Sequence, residues 1–163
     1  MSESTYKKML SFIAERKLLK GAIVGLSRLI TGFIYAFYPL YLVYIVFYIG
    51  VFPLMDIIVP LVAFVSLSII RDKLDFKRPY EKYDIVPLIS KHTKGKTFPS
   101  RHTFSAFMIA FAVLSRFPVP GSVILVMAVV LGILRVICGV HFIRDVLAGF
   151  LYAAAFAIIF IFV

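Results

Sequence analysis

A single cysteine, Cys138, excludes an intramolecular disulfide. It stands in an apolar run and reads as a small buried residue. Charge is scarce too: 16% of the 163 residues are charged and 62% are hydrophobic. Across residues 29–70 the sole charged side chain is Asp56. A soluble domain of this size buries only about two-thirds of its surface and could not hide so much apolar area. An ordinary soluble domain is thereby excluded, and lipid is the expected solvent for much of the chain. Acidic residues are few, 8 Asp and Glu against 18 Lys and Arg, which leaves a formal net charge of +10. Such an excess suits anionic headgroups or an anionic substrate. Nucleic acid is not expected as a partner, because so apolar a chain has no sizeable soluble face for it. Low-complexity segments and internal repeats are absent. A cleavable leader is not expected either: residues 9–14 are too short for its apolar core, and Glu15, Arg16 and Lys17 follow at once.

What is present is a series of apolar segments. Residues 6–28 interleave Met9, Phe12, Ile13, Leu18 and Leu19 with Lys7, Lys8, Arg16, Lys17 and Lys20. That pattern predicts an amphipathic helix lying at the membrane interface. Spans are predicted at 29–49 (kinked at Pro39), 55–70, 103–117, 122–138 and 145–163, each near the roughly 20 residues a bilayer requires. Gly50, Pro53 and Asp56 mark the first break, and residues 118–121 read as a turn. The predicted fold is one all-α domain over 1–163, a polytopic membrane bundle of about five transmembrane helices plus the amphipathic segment. Tyr35, Tyr38, Tyr41, Tyr44 and Tyr48 recur at helical spacing and read as packing or an interfacial belt. Counting spans places the N-terminal segment, the loop 71–101 and the link 139–144 on one face. Asp56 falls on the opposite face and reads as interfacial.

Residues 71–101 form a long polar loop, which in a compact chain is uncommon and often functional. Three polar clusters border the apolar segments on this face. The first runs from Arg71 to Arg78-Pro79, the second is Pro99-Ser100-Arg101-His102, and the third is Arg135, His141 and Asp145. Ser100 is a natural N-cap for the helix after it, and a helix N-terminus offers an anion its amide N–H groups and dipole. His102 in the first turn can reach the same anion. His141 and Asp145 are four residues apart, so a helix starting near Val140 would put them on one face. The carboxylate could then fix the imidazole tautomer and leave the other nitrogen as nucleophile or base. Arg71, Arg78 and Arg135 supply planar charged forks suited to phosphate oxygens. Lys73, Lys77, Lys82, Lys91, Lys94, Lys96 and His92 read as a solvated, headgroup-facing surface.

In order and spacing these clusters resemble the three signature motifs of the type 2 phosphatidic acid phosphatase superfamily, K-x6-R-P, P-S-G-H and S-R-x5-H-x3-D. The resemblance covers 71–145. It implies His141 as the nucleophile that forms a phosphohistidine, Asp145 as the residue that orients it, and His102 as the acid that protonates the leaving alkoxide. It also implies Arg71, Arg78, Ser100 and Arg135 as phosphate ligands; Arg101, a departure from the motif, is a further candidate for a phosphate or headgroup contact through its own charge. Neither a metal nor a cofactor is implied. Three departures stand out: Arg71 where the family has lysine, Arg101 for glycine, and Leu134 for serine.

The expected function is therefore hydrolysis of a membrane lipid phosphate or diphosphate by a multi-pass protein of the cell membrane. Its partners would be the bilayer and a lipid substrate such as undecaprenyl diphosphate, phosphatidylglycerophosphate, phosphatidic acid or lipid A phosphate. Two alternatives remain open at this point, a non-catalytic lipid-binding or transport protein and a lipid phosphotransferase. Sidedness is open as well. The positive-inside rule places the basic face in the cytoplasm, whereas the resemblance points to the outer face.

Overall fold

The computed structural model describes residues 2–90 and 93–161. Lys91 and His92 of the expected headgroup-facing surface lie outside the described residues, as does the end of the last predicted span. Among the described residues the fold is helical. In chain order it comprises α1 (Glu3–Ala14), α2 (Lys17–Tyr44) with a π-helical turn at Ile45–Ile49, α3 (Leu54–Leu74) and α4 (Pro79–Lys82). There follow α5 (Arg101–Arg116), α6 (Pro118–Ile137) and α7 (Ile143–Ala157), the last ending in a 3-10 turn at Ile158–Ile161.

Among the described residues four helical segments are long and apolar enough to cross a membrane: Lys17–Ile49, Leu54–Lys82, Pro118–Ile137 and Ile143–Ile161. Their outer faces expose Leu29, Leu40, Leu61, Val126 and Leu151, each more than half accessible. Such faces belong in lipid. The remaining long helix, α5, has 16 residues and so rises about 24 Å, less than the bilayer core of about 30 Å. It is the hub of the bundle, packed by α6, α7, α3 and α2. Phe104, Ala106, Met108, Ala110 and Val113 are buried, so apolar residues surround this helix on most sides.

Several element boundaries differ from those predicted. The amphipathic segment 6–28 is two helices, because α1 ends at Ala14 and Lys17 already begins the spanning α2. The side chain of Ser2 starts α1 by accepting from the Thr5 N–H at 3.3 Å. The α1 face carrying Tyr6, Leu10 and Ile13 is buried against Leu88, Cys138 and Val140 rather than against lipid. Residues 118–121, expected as a turn, are the first turn of α6. Pro118 sits at the helix start, where its missing N–H is no loss, and α5 and α6 are joined through Phe117 alone. Gly121 allows this tight corner, since a Cβ there would collide with the Leu114 backbone. Asp56 is not exposed at an interface. It is 1% accessible, accepts from Tyr41 Oη and is paired with Arg116, each at 3.0 Å. The tyrosine stripe is divided: Tyr41 is buried with Tyr38 stacked on it, whereas Tyr35, Tyr44 and Tyr48 are exposed, Tyr44 stacking on Tyr48.

Candidate active site

The loop 75–100 carries little regular structure, yet it is tied down by polar contacts. The Glu81 carboxylate accepts from the Gly95 N–H at 2.9 and 3.0 Å and from the Arg78 N–H at 2.9 Å. Asp75 accepts from the Lys96 N–H at 3.1 Å, and the Thr97 N–H bonds Phe76 O at 3.0 Å. Arg71 projects from the last turn of α3 and donates to the carbonyls of Lys96, Thr97 and Pro99. Arg78 donates to Gly95 O at 3.0 Å and to Val140 O at 3.4 Å. The first cluster thus braces the segment leading into the second, and Arg78 reaches the third.

Ser100 caps α5 as its position predicted, accepting from the Thr103 N–H at 3.4 Å and the Thr103 hydroxyl at 3.0 Å. Its own N–H donates to Asp145 O at 2.9 Å, which joins the second cluster to the third. This contact needs a glycine on α7: a Cβ at Gly149 would stand 2.8 Å from Ser100 O. His102, in the first turn of α5, stacks on the Tyr35 ring at 6.5 Å between centroids. The guanidinium of Arg101 lies 5.6 Å from the Phe64 ring centroid.

His141 and Asp145 come together, though not along a helix. The helix α7 begins at Ile143, so His141 sits in the link before it. The two residues therefore do not share a helical face, and the link's own path brings their side chains close. His141 Nδ1 is 3.5 Å from Asp145 Oδ2, beyond a good hydrogen bond. Between them stands Thr97, a residue the sequence reading did not single out. Its Oγ1 lies 3.1 Å from His141 Nδ1 and 2.7 Å from Asp145 Oδ2. Asp145 Oδ2 also accepts the Phe142 N–H at 2.9 Å and so caps its own helix. Thr97, His141 and Asp145 are all at most 2% accessible. Burial is the main influence holding the His141 imidazole well below its usual range, at about 4. The nearby Asp145 carboxylate opposes this and the charge of Arg78 adds to it.

Arg135 is placed differently from its expected partners. Its side chain is buried and turned toward α2, donating to Thr31 Oγ1 at 3.4 Å. Its carbonyl accepts the N–H groups of Val140 and His141, both at 3.3 Å. Arg71, Arg78 and Arg135 are each 5% accessible, while Asp145 is the one buried carboxylate described at this end of the bundle. The Nε atoms of Arg71, Arg101 and Arg135 have no hydrogen-bond partner among the described residues. Buried guanidinium groups in excess of carboxylates make a site that favours a multivalent oxyanion.

A profile for the PAP2 superfamily matches residues 61–163, which include every residue named in the three clusters. Over 91 residues the chain is 35% identical to lipid A 1-phosphatase of Rhizobium johnstonii, covering 55% of this chain and 36% of that protein. The chain therefore spans about a third of the length of the curated relative it matches. The crystal structure of the first transmembrane PAP2 type phosphatidylglycerolphosphate phosphatase from Bacillus subtilis superposes with a TM-score of 0.76 at 23% identity. That match covers 97% of this chain and 81% of the other. LpxE of Aquifex aeolicus gives 0.71 at 24% identity, covering 98% and 94%. At these identities the two structures establish a shared fold.

Proposed function

The chain belongs to the PAP2 superfamily, and from that premise we propose that it is a membrane lipid phosphatase working through a phosphohistidine at His141. The observation that carries the proposal is a buried imidazole held beside Asp145 at the end of the bundle where Arg71 and Arg78 converge. Phosphoryl transfer requires positioning and charge neutralisation more than elaborate chemistry, and these groups supply both.

The substrate lies with its chains among the spans and its phosphate at the basic face. His141 attacks phosphorus, a P–N bond forms, and the P–O bond to the lipid breaks. His102 gives its proton to the departing alkoxide or lipid phosphate. Water then attacks the phosphohistidine and passes a proton back to His102, and inorganic phosphate leaves with His141 restored. Ser100 and the α5 N-terminus, with Arg71, Arg78 and Arg101, hold the phosphoryl oxygens, while Arg135, whose side chain is turned toward α2, supports the link at His141 through its carbonyl. Arg71 and Arg78 also hold the loop that carries Thr97 and Ser100. The activities for which the relatives are named point to a lipid A phosphate or a phosphatidylglycerol phosphate in the cell membrane as first substrates to try.

Phosphate release by purified protein in detergent, with EDTA present, tests the reading on a panel of lipid phosphates and diphosphates. The wild type turns over and His141→Ala does not, with a loss of at least about 1,000-fold as expected for a missing nucleophile. Equal release by the mutant, or no release from any lipid by folded wild type, overturns it.

A further inference from the structure

We infer that Thr97 is a positioning residue that fixes the proton of His141 on Nδ1 and leaves Nε2 as the attacking atom. The inference rests on the phosphatase reading for its catalytic consequence, but the proton placement follows from the hydrogen bonds alone. Thr97 Oγ1 lies 2.7 Å from Asp145 Oδ2 and 3.1 Å from His141 Nδ1. A hydroxyl has one proton to donate, and an ionised carboxylate can only accept. The Thr97 proton therefore goes to Asp145. Toward His141 the same oxygen can only accept, so Nδ1 must carry a hydrogen. In a neutral imidazole the lone pair is then on Nε2.

The direct His141–Asp145 contact cannot do this as well, because 3.5 Å is long for a hydrogen bond. Asp145 Oδ2 is also occupied by the Phe142 N–H at 2.9 Å. The carboxylate acts on the imidazole through the threonine. The charged groups facing the ring are Asp145 from α7, Arg78 from the loop and Arg71 from α3. Neither arginine can accept a proton from Nδ1, so no other neighbour among these fixes the tautomer. Thr97 is fully buried, which keeps water from taking over the role of its hydroxyl. Its position is set by Arg71, which donates to Thr97 O at 3.2 Å, and by its own N–H bond to Phe76 O at 3.0 Å. The departure from the family motif at Arg71 and the placing of Thr97 are thus parts of one arrangement.

Two measurements on wild type, T97S and T97V separate this inference from the phosphatase reading. The first is the imidazole 15N shifts of His141 in detergent at neutral pH, assigned by comparison with His141→Gln. Wild type and T97S show hydrogen on Nδ1; T97V shows a tautomer mixture or hydrogen on Nε2. Hydrogen on Nε2 in wild type, or an unchanged spectrum in T97V, overturns the inference whether or not the protein is an enzyme. The second is lipid phosphate hydrolysis. T97V lowers kcat by about 10- to 100-fold, with KM little changed. T97S retains most of the activity. Equal loss in T97S and T97V marks a packing role for the methyl group and overturns the inference. An inactive wild type sinks the phosphatase reading and leaves the spectrum to decide on Thr97.

Discussion

The phenol of Tyr6 donates to the carbonyl of His141 at 2.7 Å, across 135 positions of sequence. Tyr6 is fully buried on α1, where it packs against Tyr83 and Phe142 and reaches Val136 O at 3.3 Å. The N-terminal helix lies outside the family match at 61–163, yet it holds the backbone of the proposed nucleophile. Tyr6→Phe keeps the ring packing and leaves the His141 carbonyl short of a donor, which costs about 1–3 kcal/mol for a buried acceptor. The expected result is a lower melting temperature and a severalfold fall in kcat with KM unchanged, since the carbonyl is not a substrate contact. Unchanged kcat in Tyr6→Phe would show that α1 is only a surface tether.

Arg71 stands where the family motif has lysine, so Arg71→Lys restores the motif. It is nevertheless expected to reduce activity. The guanidinium fork spans three carbonyls, those of Lys96, Thr97 and Pro99. A lysine offers its donors from a single point and cannot reproduce that spread. The loop carrying Thr97 and Ser100 loosens, and kcat drops by roughly tenfold, about 1.4 kcal/mol. Limited proteolysis within 75–100 reads the loosening directly, and resistance equal to wild type argues against the bracing role.

The candidate chemistry was largely legible in the sequence, and its wiring was not. Fixed spacing singles out His141, Asp145, Ser100 and Arg78 as candidates, because these residues stand at constrained intervals within short segments. Thr97 escapes such reading. Its partners lie 44 and 48 positions away, and an isolated threonine in a loop carries no periodic signal. The membrane bundle follows from hydrophobic runs, but helix ends do not. The break near Glu15 and Arg16 lacks Gly or Pro, and Pro118 starts a helix where a Pro-rich stretch suggested a turn. Burial of Asp56 was hidden for a related reason, since its partner Arg116 is 60 positions on.

The acidic limb of activity lies low. Burial holds the folded pKa of His141 at about 4, below the value of about 6.5 for an unfolded chain. Between these values the unfolded state binds more protons. The contribution of His141 to stability is complete above about pH 6.5 and is lost as pH falls toward 4. The expected kcat/KM profile stays level down to about pH 5 before falling, because the proposed nucleophile remains neutral. An acidic limb centred near 6.5 would place the imidazole in water. In His141→Gln the stability loss over this pH window is smaller than in wild type.

The approach of α7 to the start of α5 can be tested with one methyl group. A Cβ at Gly149 would meet Ser100 O at 2.8 Å, Phe104 N at 3.3 Å and Thr103 Cβ at 3.4 Å. Backbone atoms cannot step aside as a side chain can, so Gly149→Ala pushes the capped end of α5 away from Asp145. Overpacking of this kind costs about 1–3 kcal/mol, and here it also parts Ser100 and His102 from His141. Gly32→Ala on α2 is the control, because nothing lies within 4 Å of its added carbon. Activity is expected to fall at least tenfold in the first, about 1.4 kcal/mol, and to hold in the second. Equal activity in both variants would show that the two helices can separate without disturbing the site.

At the far end of the bundle, Asp56 ties together three helices. Its carboxylate accepts from Tyr41 Oη on α2 at 3.0 Å and from Arg116 Nη2 and Nε on α5 at 3.0 and 3.2 Å, while Asp56 itself belongs to α3. The Tyr41 hydroxyl also lies 3.1 Å from Ala112 O, so its one proton is shared between that carbonyl and the carboxylate, and Tyr38 donates to the Asp56 carbonyl. A buried carboxylate stripped of its cation is strongly unfavourable. Arg116→Met is therefore expected to lower stability by about 2 kcal/mol, less than a fully buried pair would lose because Arg116 is 32% exposed. Asp56→Asn with Arg116→Met removes both charges and recovers part of that loss, since the asparagine amide can still accept from Tyr41. Thermal unfolding in detergent measures the cycle. The kcat of each variant below its melting temperature stays near wild type, because this network and the His141 cluster occupy opposite ends of α5. A single variant that melts as wild type but loses turnover would instead couple the two ends through α5.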